Sequence, residues 1–333
     1  MPTIREVARL AGVAPITVSR VINHSGYISD DTRLKVEAAI AQLDYVPNTL
    51  SQSLRWNQTR MLALVLTDVT NPFWTTVARG VEDAASEAGY YVILCNTDES
   101  PEKQESYLTA LLQKRVDGVL LVPARDKLDD IQRVQALKVP LVLLDRRLSQ
   151  TLADSVRCDS ESGAYQLTRL LLEQGHHRIA LLTGSEQVAT ATDRVDGYRR
   201  ALREFGLVEE AEMITYGAFT VESGQEMTRA VLGLNPRPTA VFAGNNFIAI
   251  GMMQALNQAG VRVPEDVSVV GFDDLPASLL ITPFLTVAAQ PAYQMGREAM
   301  KLLVKRLRGD GSALPQEVVL PVELIERQSV LKR

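Results

Sequence analysis

The residues that carry most covalent, redox and metal chemistry are scarce in this chain. Its 333 residues include two cysteines, Cys95 and Cys158, and three histidines, His24, His176 and His177. Both cysteines lie in apolar, strand-like settings, which fits reduced core residues and argues against a disulfide scaffold or a metal site. The sequence has no glycine-rich phosphate loop and no Gly-x-Ser-x-Gly elbow, and Gly184-Ser185 is too little to build a nucleophile on. Asp273-Asp274 invites an acid/base reading, but adjacent side chains after a strand point apart. An enzyme is therefore not expected. No apolar run approaches the ~20 residues that span a bilayer. The N-terminus enters a capped polar segment instead of an apolar signal core, so the expectation is a cytoplasmic protein, neither membrane-inserted nor exported. No heptad tail follows, so nothing points to a C-terminal coiled coil. Positive charge is also in deficit: the net charge is −5, against a nonspecific nucleic-acid coat. Residues 1–60 depart from this, with seven basic and five acidic side chains, a balance of +2 that leaves −7 for the rest.

What is present begins with Thr3 to Asn23. Thr3 and Glu6 have capping-box spacing, and Ile4, Val7, Ala8 and Ala11 form one apolar stripe, so a helix should start at Thr3. Gly12 should end it, and Val13 can pack inward from the turn. Pro15 suits the first turn of a second helix. Val18, Val21 and Ile22 would be its buried face, with Pro15, Ile16, Thr17, Ser19 and Arg20 outward. Small polar residues and an Arg on a short exposed helix fit a major-groove reader. They fit an ordinary helical hairpin in a small bundle as well. A third helix is expected from Ser29-Asp30-Asp31 onward, closing the core with Leu34, Ala38, Ala39, Ile40 and Leu43. Tyr45-Val46-Pro47 should end it. Residues Asn48 to Thr59 are polar, and only Leu50 and Leu54 would align in a helical turn. The segment reads either as a flexible linker or as one that becomes helical with a partner.

From Arg60 the texture changes. Apolar runs at Met61–Thr67, Tyr91–Leu94, Gly118–Val122 and Leu141–Leu144 suggest strands buried on both faces. Helical segments separate them, near Phe73–Ala88, Pro101–Lys114 and Leu128–Leu137. A second set follows, with strands at Ile179–Leu182, Ala240–Ala243 and Val267–Val270. Its helices fall near Gly163–Gln174, Asp193–Phe205, Ser223–Leu232 and Phe247–Ala259. Two successive alternations of this kind predict two doubly wound parallel sheets. Ligands of such sheets bind beyond the carboxyl ends of the strands, which places one ligand between the two. Carboxylates, amides, arginines and aromatics cluster there: Asp68 to Trp74, Asp145-Arg146-Arg147, Thr183-Gly184-Ser185 with Arg194, Gly244-Asn245-Asn246, and Gly271 to Asp274. That mixture suits a polyhydroxylated ligand with an apolar ring face.

Several blocks carry a family resemblance. They are Thr17-Val18-Ser19-Arg20-Val21-Ile22-Asn23, Tyr45-Val46-Pro47-Asn48, Ser53-Leu54, Asn71-Pro72-Phe73, Lys114-Arg115-Val116-Asp117-Gly118, Arg237-Pro238-Thr239-Ala240, Val269-Val270-Gly271-Phe272-Asp273-Asp274 and Ile325-Glu326-Arg327-Gln328-Ser329. In this order, over essentially the whole chain, they resemble the lactose-repressor (LacI/GalR-type) transcription regulators. The resemblance implies an all-α helix-turn-helix DNA-binding head joined to an α/β effector domain. The latter would be two doubly wound parallel-sheet subdomains of periplasmic-binding-protein type.

The implied domains are residues 1–47 for the head, 48–59 for a hinge helix, and 60–333 for effector binding and dimerisation. The N-subdomain would hold about 60–160 plus 291–321, the C-subdomain about 161–290 plus 322–333. The helix near Tyr293–Leu307 would then return to the first subdomain and a strand near Val322–Ile325 to the second. The implied partners are a near-palindromic double-stranded operator, a second copy of the chain and a small-molecule effector, with no membrane and no cofactor. Pro15, Ile16 and Arg20 match the base-reading positions, Arg20 being suited to guanine. Thr3, Thr17 and Asn23 match backbone-phosphate contacts. Ala14 departs from the pattern, standing where a capping Ser is common. Ser51 and Leu54 fall in the hinge, Leu54 matching a leucine that wedges into the minor groove. The implied effector contacts are Asn71, Phe73, Asp145, Arg146, Arg194, Phe219, Asn245 and Asp273. The positive charge of Arg146 leans toward a sugar, sugar acid or sugar phosphate over a purine. The rival expectation is a periplasmic-type sugar-binding protein with no regulatory role, for which a signal peptide is missing and the head is superfluous.

Overall fold

The computed structural model describes residues 2–46, 58–126, 128–150, 152–275, 283–311 and 314–333. The chain divides into two units, residues 1–59 and 60–333. Among its described residues the first has the helices α1 (Ile4–Ala11), α2 (Pro15–Ile22) and α3 (Asp30–Gln42). At the start of α1 the Glu6 carboxylate accepts the Thr3 N–H at 2.7 Å and the Thr3 hydroxyl at 2.9 Å. Gly12 ends the helix at φ +66°, where a side chain would be strained. Val7, Ala8, Val18, Val21, Val36 and Ala39 form the core, with Val13 and Ile22 packed against it.

Here the third helix differs from expectation. Leu34 is 65% exposed and Ala38 is exposed, whereas Val36 is fully buried. The inward stripe runs Val36, Ala39, Ile40, Leu43 at helical spacing, and Leu34 lies off it.

In the second unit one sheet has the order β11-β5-β4-β3-β1-β2, the other β12-β10-β9-β8-β6-β7. The first contains β1 (Met61–Leu66), β2 (Tyr91–Asn96), β3 (Gly118–Leu121), β4 (Leu141–Leu144), β5 (Asp154–Cys158) and β11 (Glu317–Leu320). The second contains β6 (Ile179–Thr183), β7 (Ile214–Tyr216), β8 (Ala240–Ala243), β9 (Ser268–Phe272), β10 (Thr286–Ala289) and β12 (Glu323–Ile325). Among the described residues all pairings are parallel except β10 with β12. The helices are α4 (Pro72–Glu87), α5 (Pro101–Gln113), α6 (Leu128–Ala136), α7 (Ser160–Glu173), α8 (Ala189–Glu204), α9 (Val221–Leu232), α10 (Asn246–Gln258) and α11 (Ala292–Arg308). They cover both faces of both sheets, so the inner strands are buried on either side and read as unbroken apolar runs.

Helix α11 packs on α4 over the first sheet at small residues. A Cβ on Gly80 would collide with the Tyr293 carbonyl, and one on Gly296 with the Val77 carbonyl. The chain crosses between sheets after β5, after β10 and after β11. Buried and half-buried polar anchors hold these returns. Arg306 forks onto Asp154 at 2.6 and 2.7 Å, and the Gln316 N–H bonds the same carboxylate at 2.7 Å. The Ser329 hydroxyl donates to the Val269 carbonyl at 2.6 Å and accepts the Thr286 N–H at 2.8 Å. Arg327 forks onto Asp274 at 2.6 and 2.8 Å.

Candidate functional site

The carboxyl ends of both sheets open onto one cavity of about 300 Å³. Asn71, Phe73, Asp145, Arg146, Arg194, Phe219, Asn245 and Asp273 all line it. Four come from the first sheet's elements and four from the second's.

Asp145 follows β4 and Asp273 follows β9, strands in corresponding places of the two sheets. Each takes a left-handed backbone, φ +64° and +67°. Each N–H bonds the next strand, Asp145 to the Val156 carbonyl at 2.8 Å and Asp273 to that of Ala288 at 3.0 Å. Asp is among the residues that tolerate this conformation, which turns the carboxyl away from the strand direction. Burial pushes the Asp145 carboxyl up to about 6, partly offset by Arg146 and Arg194. Burial raises Asp273 too, against the opposing pull of Arg194 and a hydrogen bond from Gln290 Nε2 at 2.5 Å.

Arg194 is 3% exposed and rises from α8. Its guanidinium lies over the Phe272 ring, 3.9 Å from the centroid, and 5.8 Å from that of Phe219. One terminal nitrogen donates to the Gly244 carbonyl at 2.5 Å. Phe73 and Trp74 meet edge to face at 4.7 Å and form an aromatic wall. Asn71 caps α4 by accepting the Phe73 N–H at 2.9 Å, and Asn245 caps α10 by accepting the Ile248 N–H at 2.8 Å.

Arg146 reaches the cavity with its charge already paired. Glu99 takes both terminal nitrogens, at 2.5 and 2.6 Å, and the Pro123 carbonyl accepts a further bond at 2.9 Å. Cavity carboxylates (Asp68, Asp98, Glu99, Asp145, Asp273) outnumber its two arginines. The guanidinium is thus already paired, and among the sugar, sugar acid and sugar phosphate that the sequence left open its charge gives no preference to the anionic ones.

Among the described residues, eight buried side-chain atoms have no hydrogen-bond partner. Five belong to the cavity: Thr67 Oγ1, Asp145 Oδ1, Arg146 Nε, Arg194 Nε and Gln290 Oε1. Buried polar groups are ordinarily satisfied, and leaving one unmet costs roughly 1–3 kcal/mol. A ligand carrying several hydroxyls can both donate and accept at such points. Sequence reasoning missed Thr67, Glu99 and Gln290. Glu99 lies past β2, one strand end that the carboxyl-end rule covers but where no cluster stood out. Gln290 follows β10, too short and small in its side chains to read as a strand.

In the head, Pro15, Ile16 and Arg20 are exposed on α2, Ile16 by 59%. Thr17 is half-buried on the same helix. Thr3 is exposed at the start of α1, and Asn23 caps the end of α2, its amide donating to Ser19 Oγ at 3.2 Å. Ser51 and Leu54 lie outside the described residues.

Comparison with known proteins agrees over both units. Residues 3–48 match the family of bacterial regulatory proteins, lacI family. Residues 59–328 match periplasmic binding proteins and sugar binding domain of LacI family. The chain is 36% identical over 332 residues to the HTH-type transcriptional repressor PurR of Vibrio atlanticus, covering 99% of each. Among solved structures, the Lac repressor dimer bound to operator and the anti-inducer ONPF is 30% identical, with a TM-score of 0.86 and 99% of both chains covered. The transcriptional regulator CelR–cellobiose complex is 36% identical, with a TM-score of 0.75 and coverage of 99% of this chain and 100% of that one. With a three-helix head, two facing α/β sheets and family matches over 3–48 and 59–328, the chain belongs to the LacI family of bacterial transcriptional regulators.

Proposed function

We propose that this regulator is a cytoplasmic homodimeric repressor whose operator affinity is set by a neutral sugar held between its two sheets. The observation that carries the ligand class is the cavity itself. It joins unpartnered buried donors and acceptors from both subdomains to an aromatic wall, and its arginines are outnumbered by carboxylates. At about 300 Å³ it lies at the small end of ligand sites, favouring a ligand of about one sugar ring. The related regulator solved with cellobiose supports a carbohydrate.

On this reading residues 1–47 are the DNA-binding head, 48–59 the hinge and 60–333 the effector-binding and dimerisation domain. Pro15, Ile16 and Arg20 read bases of one half-site, while Thr3, Thr17 and Asn23 hold the backbone. Two subunits on a near-palindromic operator pair their hinges, with Ser51 and Leu54 as the minor-groove residues and Leu54 as the wedge. The Lac repressor dimer on its operator, to which the whole chain is similar, supports that assembly. Ligand in the cleft biases the arrangement of the two subdomains and, through it, hinge order.

The test is a thermal-shift screen of the full-length chain with neutral sugars, sugar acids, sugar phosphates and nucleobases, since a ligand of the native state raises Tm by mass action. A sugar hit that also changes affinity for a selected operator is expected. A nucleobase hit with no sugar response would overturn the ligand class.

A further inference from the structure

Resting on the sugar reading of the cavity, one residue outside the implied contact set stands out. Glu99 follows β2 in a turn where Asp98 and Glu99 both take left-handed backbone, φ +51° and +58°. This turn brings the Glu99 carboxylate onto Arg146, which is only 6% exposed. Glu99 engages both terminal nitrogens, and the Pro123 carbonyl takes a third donor. A guanidinium has five N–H donors, so Nε–H and one terminal N–H remain for a ligand. The neighbouring loop is itself fixed. Buried Gln104 accepts the Ala124 N–H at 2.8 Å and donates to Asp130 at 2.7 Å. Arg146 therefore offers fixed hydrogen-bond donors whose charge has been cancelled, and Glu99, with 39% of its side chain exposed, adds a carboxylate at the cavity wall.

We propose that Glu99 is a specificity-determining residue: by occupying Arg146 it admits neutral sugars and excludes those bearing a carboxylate or phosphate. The charge of Arg194 is offset by the nearby carboxylates of Asp145 and Asp273, while its Nε–H stays open to a ligand.

The experiment measures calorimetric affinities of the full-length protein for matched pairs: D-glucose with D-glucuronate, D-galactose with D-galacturonate, and D-ribose with ribose 5-phosphate. Wild type should bind a neutral member at least about tenfold more tightly than its anionic partner. Glu99→Gln should shift that ratio toward the anion by tenfold to a hundredfold, the range for one unit charge roughly 6 to 12 Å away at an effective dielectric near 20. Glu99→Asp should keep the wild-type preference. The double variant Glu99→Gln/Arg146→Gln, which removes both charges together, should largely restore it. Should the glutamine variant fail to fold, Glu99→Ala supplies the same ratio. An equal loss for both members of a pair, or an unmoved ratio, would reduce Glu99 to a positioning role and overturn the inference while leaving the sugar reading intact. A wild type that prefers the anion would also overturn it. Binding of nucleobases with no sugar at all would remove the sugar reading and this inference with it.

Discussion

The side-chain amides of Asn71 and Asn246 exchange two hydrogen bonds across the cleft, 3.0 Å one way and 2.9 Å the other. Asn71 stands at the start of α4 over the first sheet and Asn246 begins α10 on the second, both buried. The pair ties the two subdomains directly, so part of the Asn71 amide is committed to protein. Asn246→Ala leaves that amide buried without its partner, which costs about 1–3 kcal/mol. The expected result is a lower Tm, a larger radius of gyration by small-angle X-ray scattering of the unliganded protein, and weaker sugar binding. An unchanged radius together with unchanged affinity would show that the pair does not hold the cleft.

Asp145 should make ligand binding pH-dependent near pH 6. Its native carboxyl is raised to about 6 by burial. A sugar hydroxyl donates better to the carboxylate than to the acid, so binding favours the ionised form. Affinity should be full above pH 6 and fall as pH drops through 6. Folding has the opposite sign: the cost of a buried carboxylate is present above pH 6 and is relieved as pH falls toward the unfolded value of 3.8. Calorimetry from pH 5 to 8 should show this, and Asp145→Asn should bind more weakly with the step near 6 removed. A step that survives in the variant would assign it to another group.

The third helix of the head offers a stability test. Val36 is fully buried and Leu34 is 65% exposed. Val36→Ala should cost about 2 kcal/mol through lost burial and a residual cavity, enough to unfold much of a core near the lower size limit. Leu34→Ala should fall within about 0.5 kcal/mol of wild type. Chemical denaturation followed by NMR signals of the head would separate the two. Equal losses would contradict the helix register.

On DNA, the proposed roles differ in kind. Arg20→Ala should lose about 1–3 kcal/mol on the best operator and relax preference at one base position, as removal of a bidentate guanine contact does. Thr17→Ala should weaken all sequences more evenly, as loss of a backbone contact does. Selection from a randomised half-site, followed by anisotropy at fixed salt, distinguishes them. A uniform loss with Arg20→Ala would move that residue to the phosphate set.

The sequence alone determined most of the architecture, because parallel strands covered on both faces must be apolar at nearly every position. The runs at β1, β3, β4, β6 and β8 announce themselves for that reason. The capped starts of α1 and α3 are similarly local, set by Thr3 with Glu6 and by Ser29. Strands β5, β7, β10 and β11 were not legible. They are short or carry polar residues, and only pairing with neighbours makes strands of them. The carboxyl-end rule together with the family motif brought all eight expected contacts to the cavity, but not Thr67, Glu99 or Gln290, which line it too. What those residues are free to do was decided by tertiary structure. Arg146 is neutralised by Glu99, 47 positions earlier, and Asn71 is engaged by Asn246, 175 positions later. No local pattern encodes such pairs, since the fold alone brings the partners within hydrogen-bond distance and out of water. Sequence thus fixes which side chains stand at the strand ends, and packing decides which of their charges and amides a ligand can still meet.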